Sequence, residues 1–255
     1  MGTERHAARQ RRFYDSKRHE HLRASDDDLY ARKLVDRLAD ALGIGPADRV
    51  LEIGAGFGRF TFPLLEHCAS VVAVDLSQVA LDELTRVRDD RAIPKARIET
   101  HCRDLAALEP DGFDERFDFV VGFFLLHHLA DLRGSIATTA RLLSAGGRLG
   151  FLEPNRRNPL FLAQVAACPD MDWAEERGMF RLSESGVLAA YRDAGLEHTQ
   201  SRRFGFFPPQ IFNRFGFARR LEDRLEESRL LQPLLPFLLL TARARPTTES
   251  GSSRA

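Results

Sequence analysis

Val50-Leu51-Glu52-Ile53-Gly54-Ala55-Gly56-Phe57-Gly58 decides the fold. An apolar run of strand character enters a Gly-x-Gly-x-Gly loop, and a helix over about 58–67 opens directly out of it. Glycines let the backbone turn sharply and let a ligand approach the main chain closely. The helix that follows offers free N–H groups at its start. Working outward, the stretch 70–76 (SVVAVDL) is β-branched and apolar, a buried strand. The spacing predicts a helix over 77–88 with Ser77 as a possible N-cap. Further strands are expected at 96–102, 117–124 and 148–152. A helix over 131–143 ends at Gly146-Gly147. Upstream, Leu29, Leu34, Val35, Leu38 and Leu42 recur at helical spacing over 26–42. Downstream, a helix over 183–194 stops at Gly195, and strand-like segments lie at 197–206 and 237–242. Strands alternating with helices imply an α/β fold with a mainly parallel, doubly covered sheet.

Two ligands suit the glycine loop. A dinucleotide asks for Gly-x-Gly-x-x-Gly, with its pyrophosphate on the helix end. Here the third glycine comes one residue early. Glu52, just before the loop, is poor company for a pyrophosphate, but it could order the loop or meet an ammonium group. S-adenosylmethionine (SAM) carries a cationic methionine part and no phosphate, so the residues favour SAM over NAD. Asp75 ends the second strand about twenty residues beyond Gly54. It reads as an acceptor for ribose hydroxyls or as a capping carboxylate. Asp104 follows the third strand, beside the same crevice. It reads as an acceptor for an adenine amino group or as a solvated loop acid.

Five segments, taken together, resemble the class I SAM-dependent methyltransferases of bacterial small-molecule type: VLEIGAGFGRFT, VAVDLS, CRDL, FDFVVGFFLLHHLAD and LLSAGGRLGFLEPN. The resemblance covers about residues 30–155. It implies a Rossmann-like, doubly wound, seven-stranded sheet, mostly parallel with an antiparallel last strand. N-terminal helices and a helical insertion before the last strand complete that expectation. It implies cofactor contacts at Glu52, Gly54, Ala55, Gly56, Gly58, Asp75, Leu76, Asp104 and Leu105, and at the backbone near Phe123. The segment RRFYDS resembles the family's cofactor-covering N-terminal stretch, where Tyr14 would lie over SAM or simply pack. The expected organisation is an N-terminal segment 1–25, a methyltransferase domain 26–245 with a lid-like insertion at 207–231, and a disordered tail 246–255. Strand four ends in Gly122-Phe123-Phe124 and not in an Asn-Pro-Pro-Tyr-type motif for methylating nucleobase or glutamine amino groups.

Methyl transfer needs a base only where the acceptor must lose a proton. His127 and His128 follow strand four, where an acceptor should sit. Either reads as a substrate-side histidine, His128 as the base, or as part of a structural turn. Glu153 and Asn155 follow strand five. Glu153 is a candidate catalytic carboxylate, or a loop acid paired with Arg156 or Arg157, and Asn155 a candidate for orienting substrate. The insertion gathers Phe207, Phe212, Phe215 and Phe217 with Arg214, Arg219 and Arg220. It reads as a lid over an apolar or anionic acceptor, with Phe207 and Phe212 touching it, or as an amphipathic helix packed on the sheet edge. A resting place on a membrane surface is the less favoured third reading.

Composition narrows the classes. Lys+Arg and Asp+Glu both total 37, so no overall basic field recruits nucleic acid. Cys68, Cys102 and Cys168 form no C-x-x-C pair, so neither a metal nor a disulfide framework is expected. No apolar run approaches the ~18–20 residues of a membrane span, and Met1 to Arg12 shows no secretory apolar core. The expectation is a cytoplasmic enzyme, monomer or homodimer, with SAM as cofactor and a small-molecule substrate. The rivals are a SAM-binding relative of other chemistry, such as a cyclisation, a non-catalytic SAM-binding partner subunit, and an NAD-dependent oxidoreductase.

Overall fold

The computed structural model describes residues 8–11, 15, 23–159 and 178–245. The expectations for Tyr14, Cys168 and the tail 246–255 fall outside these residues. Seven strands form one sheet: β1 (Arg49–Ile53), β2 (Ser70–Asp75), β3 (Ile98–Cys102), β4 (Phe117–Phe123), β5 (Leu143–Pro154), β6 (Leu196–Phe204) and β7 (Phe237–Ala244). Their order is β3-β2-β1-β4-β5-β7-β6. Strands β1 to β5 pair in parallel, and β7 runs antiparallel to both β5 and β6. The expected Rossmann-like sheet with its antiparallel last strand is therefore present. Chain order reverses between β1 and β4, which opens a crevice at the carboxyl ends of the strands.

Helices surround the sheet, among them α1 (Leu29–Leu42), α2 (Thr61–Leu65), α3 (Gln78–Asp90), α4 (Leu132–Leu142), α5 (Gly178–Arg181), α6 (Glu184–Asp193), α7 (Pro209–Arg214) and α8 (Gly216–Glu226). Side chains alternate across the strands, as a period of two requires. Val71 and Ala73 of β2 and Phe119, Val121 and Phe123 of β4 face one core with Leu34, Val35 and Leu38 of α1. Val72, Val74 and Val120 face the other with Ile136 of α4 and Val187 and Tyr191 of α6. Side-chain caps fix the starts of α1, α3, α4 and α6: Asp28 accepts from Ala31 N, Ser77 from Ala80 N, Asp131 from Gly134 N and Ser183 from Gly186 N.

Three boundaries differ from the sequence reading. α2 is five residues long, because Gly58 sits at φ +83°, outside the helical region. Gly146-Gly147 does not end α4. That helix stops at Leu142, and the glycine pair lies inside β5, where the pairing with β4 shifts register between Phe117 and Phe119. β6 stops at Phe204, before Gly205 at φ +81°.

The insertion is bolted to α1 by charge. The Lys33 ammonium lies 2.7 Å from Glu222 and 2.5 Å from Glu226, and both carboxylates are almost wholly buried. Each carboxylate also takes a main-chain N–H from the chain leaving β6, Glu222 from Phe207 and Glu226 from Gly205. Arg37 reaches Asp223 and Glu226. Asn213 of α7 accepts from Tyr30 N and donates to Asp28. Removing one partner of a buried pair leaves uncompensated charge, which costs about 3–5 kcal/mol. Lys33→Met should therefore lower unfolding free energy by about that amount at pH 8. Burial already raises the Glu222 carboxyl above its usual range, and losing Lys33 raises it further. Protonation then relieves the defect, so the loss should shrink toward pH 5 in urea titrations.

Candidate functional site

The crevice is built from the glycine loop. Gly54 N and Ala55 N both donate to Val74 O, at 2.8 and 3.1 Å, which folds the loop back onto β2. Gly54, Gly56 and Gly58 hold φ of +77°, +52° and +83°. A Cβ at Gly54 would stand 2.9 Å from Leu125 Cδ1, and one at Gly58 2.8 Å from Phe62 Cε2. These two glycines are required by packing as well as by φ. A Cβ at Gly56 would meet nothing, so this part of the main chain faces open space.

Asp75 closes the loop. Its Oδ2 accepts from Gly56 N and its Oδ1 from Ser77 N, each at 2.8 Å. Burial raises its carboxyl above the usual range, against the pull of those N–H groups. A carboxylate has about four acceptor sites, so capacity remains beyond these main-chain donors. Asp75 O accepts from Arg103 N, which sets Asp104 beside Asp75 at the mouth of β3. Asp104 Oδ1 accepts from Ala106 N and caps a short turn whose Leu105 side chain is buried. Leu76 offers its carbonyl at the same rim, where it accepts from Arg11 Nε.

Glu52 sits beneath the loop and not at its surface. It is 1% exposed and accepts from the Thr61 hydroxyl at 2.6 Å. Of the two roles open to it from sequence, ordering the loop is the one these contacts describe. Burial raises its carboxyl to about 7.

β4 delivers the other wall. Phe123 is buried and stacks on Phe60 at 4.5 Å and 14°. Phe124 adopts φ +53°, an uncommon state for a bulky residue, and its N–H binds Leu152 O at 2.7 Å. This turn throws the chain into the short helix Leu126–His128. Glu153 of β5 organises that helix. Its Oε1 accepts from Leu125 N and Leu126 N, and its Oε2 contacts His127 Nδ1 at 2.7 Å. Glu153 is wholly buried, so it anchors the histidine turn rather than facing an acceptor, and it pairs with neither Arg156 nor Arg157. Such a contact holds a proton on Nδ1 and fixes the ring. The His128 ring lies 4.0 Å from that of His127 and is only partly buried.

Two expected substrate residues are committed elsewhere. Asn155 donates to Pro233 O and Leu235 O and accepts from Arg157 N, so it ties β5 to the entrance of β7. Its polar atoms are engaged and it is buried, which corrects the substrate-orienting expectation. Phe212 is a core residue, edge-on to Tyr30 at 5.1 Å with Lys33 over its ring. That replaces its role as lid contact. Phe207 is half-buried against the same core.

Sequence reasoning missed several partners. Gln10 Nε2 binds His128 O at 2.8 Å, and Asp15 accepts from the Ser77 hydroxyl at 2.6 Å. With Arg11 on Leu76 O, they set these N-terminal residues against the chain leaving β2 and the chain leaving β4. Arg23 bridges Gly58 in antiparallel fashion. Arg59 binds Asp28 at 2.8 Å, and through Asn213 this connects the loop's end to the insertion. Burial pushes the Asp28 carboxyl up, but Arg59 and the hydrogen bonds hold it below its usual value. Only an Arg directly after the glycines hinted at this in sequence.

Residues 51–149 match the family model described as a methyltransferase domain. The match runs from β1 into β5, the part of the sheet that carries the glycine loop, Asp75 and Asp104. Among curated relatives, the chain is similar to a ubiquinone biosynthesis O-methyltransferase from Coxiella burnetii, with 31% identity over 116 residues. That match covers 46% of this chain and 47% of the relative, so the chain spans about half the length of the curated protein it matches. Among solved structures, the fold is similar to the [4+2]-cyclase SpnF, with a TM-score of 0.60 and 20% identity over 84% of this chain and 81% of that one. It is also similar to the N-methyltransferase NodS from Bradyrhizobium japonicum WM9, solved with S-adenosyl-L-homocysteine, with a TM-score of 0.56 and 19% identity over 86% and 89% of the two chains.

The buried acid under the loop gives a pH signature. Glu52 keeps its proton in the folded state up to about pH 7, while the unfolded chain loses it near 4.5. The folded state thus binds more protons in that window, and stability falls as pH rises through it. The shift corresponds to about 3 kcal/mol. Glu52→Gln keeps an acceptor for Thr61 and removes the titration. In thermal denaturation it should match the wild type at pH 4.5 and exceed it in stability at pH 8.

Proposed function

We propose that this chain transfers the methyl group of SAM to an oxygen, nitrogen or carbon atom of a small organic metabolite with an apolar part, in a bacterial biosynthetic pathway. The observation that carries the reading is the glycine loop locked to Asp75, with Asp104 at the next strand end. Gly56 leaves main chain open to a ligand, and Asp75 keeps lone pairs free for ribose hydroxyls. Asp104 has a second carboxylate oxygen for an adenine amino group. The phosphate-free ligand suits a loop with two carboxylates at its rim. The name of the Coxiella burnetii relative supports a small-molecule acceptor.

SAM supplies an activated methyl group on a sulfonium. The work left to the chain is positioning and exclusion of water. The Phe60–Phe123 stack and Phe124 form an apolar wall beside the end of β4. The Glu153–His127 contact sets the turn that carries His128, and His128 is the residue we assign as base where the acceptor must lose a proton. We assign Gln10, Arg11 and Asp15, which contact the chain leaving β2 and β4, to the cover of the crevice.

A second reading is favoured by one observation, the likeness to a [4+2]-cyclase over most of both chains. A relative of that kind would hold SAM and form no S-adenosylhomocysteine. The domain organisation proposed with either reading is a single catalytic unit over 26–245, preceded by a segment that covers the cofactor.

Two measurements test this. In calorimetry, SAM and S-adenosylhomocysteine should bind one per chain and NAD should not. Asp75→Ala should weaken SAM binding by on the order of 2–3 kcal/mol, since a charge-assisted contact and the tether of Gly56 are lost together. NAD binding without SAM binding would sink the reading. Incubation of cell extract with isotopically labelled methyl-SAM should yield a labelled small molecule and stoichiometric S-adenosylhomocysteine. SAM binding with turnover of a substrate but no label transfer would select the cyclase-like alternative.

A further inference from the structure

The helix α8 is amphipathic in an inverted sense. Its buried stripe, at spacing i, i+4, i+8, is Ala218, Glu222 and Glu226, and the two acids are neutralised by Lys33 and by main-chain N–H groups. Its outward stripe, at i, i+3, i+4, i+7, is Phe217, Arg220, Leu221 and Arg224. Phe217 is 59% exposed and Leu221 41%. The chain on both sides continues the pattern. Phe215 precedes the helix exposed, and Leu230 and Leu234 follow it, Leu230 at 89%. Five of the eight exposed large apolar residues described in the chain thus fall within 215–234.

Charge on this face is one-sided. Arg214, Arg220, Arg224 and Arg229 are exposed, and no ion pair holds them among the described residues. Of the nearby acids, Asp223 is taken by Arg37, which leaves Glu227. The face is also rigidly presented, because the same helix is fixed to α1 through Lys33 and Arg37. A second copy of this chain is a poor occupant. A two-fold interface would set the same four arginines against one another. A bilayer surface with anionic headgroups satisfies both features, taking phenyl and leucyl side chains into the acyl boundary and arginines at the phosphates.

We infer that the face formed by α8 and its flanks, with Phe215, Phe217, Leu221 and Leu230 between Arg220, Arg224 and Arg229, docks the protein on an anionic phospholipid surface. This stands independently of which acceptor is methylated.

The test is co-sedimentation of the full chain with vesicles of phosphatidylcholine alone and of phosphatidylcholine and phosphatidylglycerol in equal parts. The protein should bind the anionic vesicles, less strongly as salt is raised, and leave the neutral ones unbound. Phe217→Ser with Leu221→Ser, and separately Arg220→Glu with Arg224→Glu, should each lower the partition coefficient by on the order of tenfold or more. Thermal midpoints check that each variant folds; the arginine pair carries the test if the serine pair does not. Absence of binding to anionic vesicles at low salt overturns the inference. So does binding that neither pair weakens. Self-association in analytical ultracentrifugation that the serine pair abolishes, without vesicle binding, assigns the face to a second copy instead.

Discussion

The tether between Gly56 and Asp75 is the constraint on which the site depends. A loop of three glycines in the left-handed region has little conformational preference of its own. Two N–H groups donated to Val74 O and one to the Asp75 carboxylate select a single path for it. The path in turn fixes where the crevice lies. β2 can present its carbonyl and carboxylate as acceptors only because it pairs in parallel with β1, residue for residue from Arg49 with Ser70 to Ile53 with Val74. Parallel order brings the ends of β1, β2 and β3 to one edge, and Asp104 reaches the rim for the same reason. The sheet therefore acts as a ruler, and the loop is what it measures.

Much of this was legible in the chain itself. Strands buried on both faces read as continuous apolar runs, and β1, β2 and β4 were placed to within a residue or so on that basis. Boundaries failed where a glycine had two meanings. Gly146-Gly147 looks like a helix stop, yet a strand accommodates it as a shift of register, because its partner β4 is already pairing at Phe117. The residues expected on the cofactor side follow strand ends in a fixed order, so their place at the carboxyl edge of the sheet was legible. The acceptor-side residues were harder. Glu153 and Asn155 sit beside the crevice in sequence, but their side chains are consumed by the main chain around them: Leu125, Leu126 and His127 for one, residues 233–235 for the other. A residue's position along a strand tells which edge it reaches, not whether a backbone donor has claimed it first.

The same holds for the aromatic insertion. From composition, Phe207, Phe212, Phe215 and Phe217 look equivalent. The structure divides them, since Phe212 enters the core against Tyr30, Phe207 half enters it, and Phe215 and Phe217 stay outside. What divides them is the placement of Glu222 and Glu226. Burying two neighbouring acids is costly without a cation and donors to compensate them, and Lys33, Gly205 N and Phe207 N lie on one side of α8. Turning those acids inward turns Phe217 and Leu221 outward.

That geometry couples the far face of the insertion to the crevice. Asn213 leaves α7 for Tyr30 N and Asp28, Asp28 holds Arg59, and Arg59 follows directly on Gly58. The path is short, polar and partly buried, so each contact is worth more than an exposed one. A load on α8 that shifted α7 would reach the end of the glycine loop through three side chains. The apolar rings travel a parallel route, from Phe212 to Tyr30 to Phe237 to Phe124 at the end of β4. The insertion is thereby a structural extension of the two walls of the crevice, one reached through charge and the other through aromatic packing. A surface that engages its outer stripe acts on a body that already spans both.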